Sequence, residues 1–233
     1  MASLADWRPF RTLVEEVHRF PRHGDACASI REGDLLFLRW DRCFPSACIA
    51  ACNRGASHVA LVLANPDDGR LYVAHSTRSY MNAPAESVWK QTDGGLVHNG
   101  VHAHLIADTV DQYKHLWILR PTTPFTRTQL QNMTAFLQAC IDKGTPARPS
   151  ELQRLKAEGV RPMPPSLYED SHFAAEYWHG CFGWANATDD KLMCTETVAE
   201  MLRAGGLWPP NEYTTTTPMR MRRLVPGAYF SVF

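Results

Sequence analysis

The clearest hydrophobic pattern in the chain is SHVALVLANPDDGRLYVAHST. Its apolar run His58 to Ala64, its turn residues Asn65, Pro66, Asp67, Asp68 and Gly69, and the alternating segment Arg70 to His75 predict a β-hairpin. Before it, REGDLLFLRW reads as a strand entered through Gly33 and Asp34, and FPSACIAACNRG as a short helix closed by Gly55. Further strands are predicted at Val101 to Ile106 and at His115 to Arg120, where Pro121 stops the run. About five strands then make an antiparallel sheet or small barrel. The period changes to that of a helix over Thr128 to Lys143, with Leu130, Met133, Leu137, Cys140 and Ile141 on one face and Gly144 at the end. The opening segment MASLADWRPFRTLVEEVHRF carries Leu4, Trp7, Phe10, Leu13, Val14 and Val17 at helical spacing and predicts an amphipathic helix docked on the body. DDKLMCTETVAEMLRAGG predicts a last helix, capped by Asp189 or Asp190 and ended by Gly205 and Gly206.

Between these helices the pattern is broken by Pro146, Pro149, Pro162, Pro164 and Pro165, and residues 145 to 190 read as an insertion. Within it, Ser150 and Gln153 have capping-box spacing. Tyr168, Phe173, Tyr177, Trp178, Phe182 and Trp184 form an aromatic cluster that is either plain packing or the wall of a site. The remainder, taken with the insertion, reads as one domain over residues 1 to 233.

Composition narrows the function classes. Twenty-four basic against 24 acidic residues leave no formal charge, which argues against a dedicated polyanion binder. Hydrophobic residues at 45% and charged residues at 21% are globular usage. The longest apolar run, Val59 to Ala64, is far short of the roughly 18 residues a membrane-spanning helix needs. The N-terminal segment has neither the basic region nor the apolar stretch of an export signal, and the seven cysteines are odd in number, so reduced thiols and a cytoplasmic setting are expected.

Cys194 falls in the first turn of the last helix, where unpaired amides and the helix dipole favour a thiolate. A nucleophilic thiol needs a base and a third polar group to orient that base. The hairpin offers both, because antiparallel pairing about its turn brings His58 and His75 to the same end of the sheet. Other constellations are weaker. Cys43, Cys48 and Cys52 lack the paired CxxC knuckles of a zinc site, so no metal and no organic cofactor is expected. His98, His102 and His104 read as surface or loop histidines, although a strand there would put His102 and His104 on one face. Arg220, Arg222 and Arg223 read as a solvated basic turn first and a phosphate contact second.

The succession REGDLLFL, SHVALVL, LYVAHS and MCTETVAEML followed by AGG resembles the circularly permuted branch of the NlpC/P60 papain-like cysteine hydrolases, which includes bacterial amidase-like proteins and proteins of large DNA viruses. The likeness covers about residues 31 to 78, 115 to 145 and 189 to 208. It implies an α+β, papain-like fold in which a small antiparallel sheet or barrel packs on the nucleophile helix. It also implies Cys194 as nucleophile, His58 as base and His75 as third residue. Thr195 replaces the usual Ser, and His75 stands where many members have Glu; a histidine there is also found in lecithin:retinol acyltransferase-like enzymes. Asp34 and Glu196 match family positions but read as braces or caps.

The function so implied is cleavage of an amide, of peptide or peptidoglycan type, or of an ester, through an acyl-enzyme on Cys194, with helix-start amides holding the oxyanion. A lipid acyl hydrolase or acyltransferase is the second enzymatic expectation. A noncatalytic viral or host-directed interaction protein retaining the fold is the third. The expected partners are a peptide, peptidoglycan-type or lipid acyl substrate and neither nucleic acid nor membrane span, in the cytoplasm or after delivery with a virion or into a host.

Overall fold

The computed structural model describes residues 24–39, 50–51, 53, 55–77, 85–94, 100–110, 113, 115–143, 194–209 and 216–232. The N-terminal amphipathic helix, Cys43, Cys48 and Cys52, His98, the 145 to 190 insertion and the caps Asp189 and Asp190 lie outside the described residues.

Among the described residues, six strands form one open antiparallel sheet: β1 (Leu35–Arg39), β2 (His58–Ala64), β3 (Leu71–Thr77), β4 (Gly100–Leu105), β5 (His115–Pro121) and β6 (Gly227–Ser231). Their order is β4-β3-β2-β1-β5-β6. The architecture is mixed helix and strand, which fits the α+β class, and the sheet has edges at β4 and β6 rather than closing into a barrel. The hairpin forms where the pattern puts it. Asn65 accepts from the Asp67 amide through Oδ1 at 2.9 Å and from Gly69 through its carbonyl at 2.8 Å, and the strands leave that turn in the register Leu61↔Ala74 to Ala64↔Leu71. Strand β6 has no counterpart among the sequence expectations; its five residues follow Pro226 and pair with β5 from Pro121↔Gly227 to Trp117↔Ser231.

Both faces of the sheet are covered, so β1 is buried along its whole length instead of alternating. On one face Leu35, Phe37, Val59, Leu61, Leu63, Tyr72 and Trp117 pack in a core with two helices, α3 (Arg127–Lys143) and α4 (Cys194–Ala204). Helix α3 contributes Met133, Leu137 and Ile141, and Thr126 and Gln129 form a reciprocal capping box at its start, at 2.8 and 3.3 Å. On the other face Leu36, Leu38, Ala60, Val62, Val73, Leu116 and Ile118 pack with Ile106 and Val110 of the short helix α2 (Ile106–Val110) and with Tyr113. A further short helix, α1 (Gly24–Ser29), precedes β1. The three arginines near the C-terminus lie on helix α5 (Pro218–Leu224), not in a turn, and Arg222 stacks over the Tyr229 ring at 3.6 Å.

The Gly-Asp pair ahead of β1 is a structural brace. Gly33 has φ +86° and donates to the Val62 carbonyl at 2.9 Å; a Cβ there would meet the Phe125 ring at 3.0 Å. Asp34 receives Arg120 in a two-point ion pair, Nε to Oδ1 at 2.9 Å and Nη2 to Oδ2 at 2.7 Å, and also accepts the Arg31 amide at 2.8 Å. The same guanidinium donates to the Ser29 carbonyl at 2.6 Å. These bonds tie the start of β1 to the end of β5. Because the Asp34 side chain is only 2% exposed, Asp34→Ala leaves Arg120 half-buried and unpaired, and a loss of about 2–4 kcal/mol in urea unfolding is expected. A loss below about 0.5 kcal/mol would reduce the brace to an ordinary surface pair.

Candidate active site

Pairing between β2 and β3 covers only Leu61–Ala64 on β2 and Leu71–Ala74 on β3. Beyond Leu61↔Ala74 the strands keep only their outer partners. Strand β2 stays on β1 down to Leu38↔His58, and β3 stays on β4 as far as Thr77↔Gly100. The middle of the sheet therefore opens at the end that carries His58 and His75. Since the register aligns Val62 with Val73, His58 and His75 share the face covered by α2.

The two rings meet directly. His58 Nε2 lies 2.8 Å from His75 Nδ1, with the rings edge-on. On the far side, His75 Nε2 lies 3.2 Å from His104 Nδ1. Strand β4 sets this up, because it pairs His75 with His102 and Val73 with His104, placing both β4 histidines on the same face as His75. The expectation of surface or loop positions for His102 and His104 is thus overturned: both are buried, at 1% and 0% exposure. Their strand alternates as an exposed strand would, but α2 folds straight back over the polar side.

Cys194 begins α4, on the opposite face of the sheet. Its sulfur accepts from the backbone N–H of Val59, the residue after His58, as well as from the amides of Thr195 and of Cys194 itself. The helix start is pinned by Thr195, whose hydroxyl donates to the Thr216 carbonyl at 2.7 Å. Its far end is closed by a Schellman motif about Gly206, at φ +71°, with Leu207 donating to Leu202 and Gly206 to Arg203, both at 2.8 Å. The third neighbour is Tyr113, buried against His58 with rings nearly parallel and centroids 5.8 Å apart. Burial and the nearby Cys194 sulfur both hold its phenol protonated. Tyr113 was not legible as a site residue, because it stands alone ahead of β5 with no spacing that marks it.

Burial decides the charge state. It lowers His58 to about 4 and His104 to about 4, the latter against the opposing pull of Asp108. His75 is driven well below its ordinary value by burial and then by the neighbouring histidines. The Cys194 thiol is pushed up to about 11 by burial, aided by the Glu196 carboxylate and only partly offset by the three amides. Burial thus acts against the thiolate expected at a helix start and against charge on these imidazoles. Among the described residues no group of three His, Cys, Asp or Glu side chains is placed to hold a metal ion.

The sequence-predicted residues thus come together in part by direct contact, His58 on His75, and in part through one peptide unit, Cys194 on the amide of Val59. Asp34 lies apart as the brace described above, and Glu196 is buried in the first turn of α4. Compared with known proteins, the chain matches no family model and no curated protein.

The neutral histidines have a cost in acid. In the unfolded chain they take up protons below about pH 6.5, whereas in the fold they resist down to about 4, so stability is full above neutral pH and falls as pH drops between these values. Each histidine held near 4 makes the step from pH 7 to pH 5 cost about 2 kcal/mol. Urea unfolding at stepped pH is expected to show that steep loss; a flat response would refute the neutral array.

Proposed function

We propose that the chain is a cysteine hydrolase that cleaves an amide or ester through an acyl-enzyme on Cys194, in a papain-like fold of the permuted NlpC/P60 type. The observation that carries this reading is the 2.8 Å bond from His58 Nε2 to His75 Nδ1, made by the residue whose chain neighbour, Val59, turns its amide to the Cys194 sulfur. That bond occupies Nε2, so a proton that His58 takes from Cys194 has to go to Nδ1. Chain order supports the permuted form, since the strands bearing His58 and His75 precede the helix bearing Cys194.

The steps balance as follows. The Cys194 thiol passes its proton to His58 Nδ1 as the sulfur bonds to the substrate carbonyl carbon, and the carbonyl oxygen becomes an oxyanion. The amides of Cys194, Thr195 and Val59, which act on the sulfur, are the candidate donors for that charge among the described residues. Collapse expels the amine or alcohol, which takes the proton back from His58. A water, deprotonated by the same nitrogen, then releases the acid and regenerates the thiol. His75 keeps the His58 ring oriented throughout.

Because the pair keeps a single proton between about 4 and about 11, base-assisted reaction at Cys194 is independent of pH across most of that interval. Without the base the rate only climbs with hydroxide. Iodoacetamide labelling of Cys194, followed by peptide mass spectrometry, is expected to show a plateau from about pH 5 to 9 in the wild type and a continuous rise in His58→Ala. Activated esters and peptide amides should leave an acyl group on Cys194, lost in Cys194→Ala and slowed about 100-fold or more in His58→Ala. Acylation of Cys194 no faster than that of Cys27 or Cys140 in folded protein would overturn the proposal. Release of fatty acid from phospholipid, with no amide cleavage, would move the substrate class to lipid acyl groups.

A further inference from the structure

The ring on the far side of His75 is the feature that the triad leaves unexplained. Each neutral imidazole carries one N–H and one lone pair, so a chain of rings in contact has to run in a single direction. For His58 to act as a base at Nδ1, its proton must sit on Nε2 and be donated to His75 Nδ1. His75 then has to hold its own proton on Nε2, 3.2 Å from His104 Nδ1, which has to accept it. The reverse polarity is equally complete in hydrogen bonds. It places the proton of His58 on Nδ1, and the base is lost. His58 and His75 alone do not choose between the two.

Resting on the hydrolase reading above, we propose that His104 is a positioning residue: by accepting the Nε2–H of His75 at its own Nδ1, it fixes His75 as an acceptor toward His58 and holds His58 in the tautomer that can deprotonate Cys194. Its location suits the task. It is fully buried on β4, its ring centroid lies 5.4 Å from that of His75, and the His102 ring lies 5.6 Å from it. Asp108, from α2, is the acid whose charge reaches it, and it favours protons on the His104 side of the array. Among the described residues, the other titratable groups in contact with this cluster are His58 from β2, His75 from β3, His102 from β4, and Tyr113, which stacks on His58. An acceptor is therefore required at position 104, and a ring of the same volume without nitrogen should not serve.

The test compares His104→Phe, which fills the space but accepts nothing, with His104→Asn, whose Oδ1 stands where Nδ1 was. Iodoacetamide labelling of Cys194 at pH 7 is expected to fall about tenfold or more in His104→Phe, with loss of the flat pH region. His104→Asn is expected to restore the flat region and most of the rate. A His104→Phe protein that is folded by near-ultraviolet circular dichroism and keeps the wild-type profile overturns the proposal. His58→Ala, run in parallel, separates the two readings: if it also keeps the wild-type profile, the hydrolase reading fails; if it alone loses the flat region, only the role of His104 fails. Should His104→Phe not fold, the imidazole nitrogen-15 shifts of the wild type decide. A proton on Nε2 of both His58 and His75 supports the proposal, and a proton on Nδ1 of either one overturns it.

Discussion

Everything at the candidate site depends on two paired strands that stop pairing. Were β2 and β3 to continue in register past Leu61↔Ala74, the seam between them would be closed by ladder hydrogen bonds beside His58 and Val59. Because β2 instead follows β1 and β3 follows β4, the sheet keeps its outer pairings and opens only in the middle. That opening lets one sulfur, from a helix on one face, meet a backbone amide of β2 while histidines approach from the other face. The brace of Asp34 on Arg120 and the two buried cores hold the surrounding strands, so the opening is framed by packed structure on both faces of the sheet.

The hairpin was legible because its signals agree: apolar alternation, a turn rich in Asn, Pro, Asp and Gly, and histidines at matching distances from that turn. The place of Cys194 at a helix start was legible from the amphipathic pattern of that helix, whereas its reading as a nucleophile rests on that position together with the family resemblance. His102 and His104 were misjudged for a physical reason. In GVHAHL the polar residues alternate with Val101, Ala103 and Leu105, which is how a half-exposed strand reads, and only tertiary structure reveals that α2 and Tyr113 cover the polar side. The upward push on the Cys194 thiol was hidden for a related reason. A helix start is visible in sequence and desolvation is not, yet desolvation is the larger effect on the thiol. Strand β6 escaped notice because five residues after a proline carry too little periodicity to stand out.

A third residue that is histidine rather than carboxylate changes what the array can do. A glutamate beside His58 would stabilise an imidazolium by charge and favour a standing thiolate-imidazolium pair. A neutral ring offers only an oriented dipole, and here it is fully buried, in surroundings whose burial lowers His58 and raises Cys194. Under the proposed chemistry, charge is then created only as the sulfur attacks. At that moment the imidazolium is balanced by an oxyanion, which the amides of the helix start and of Val59 are placed to receive. The direction of the histidine chain becomes the controlling variable: with every ring donating away from Cys194, the new proton on His58 leaves each bond in place, and no ring has to turn over. Burial that suppresses the resting thiolate is thus compatible with reaction at Cys194, provided the array is correctly polarised before the substrate arrives.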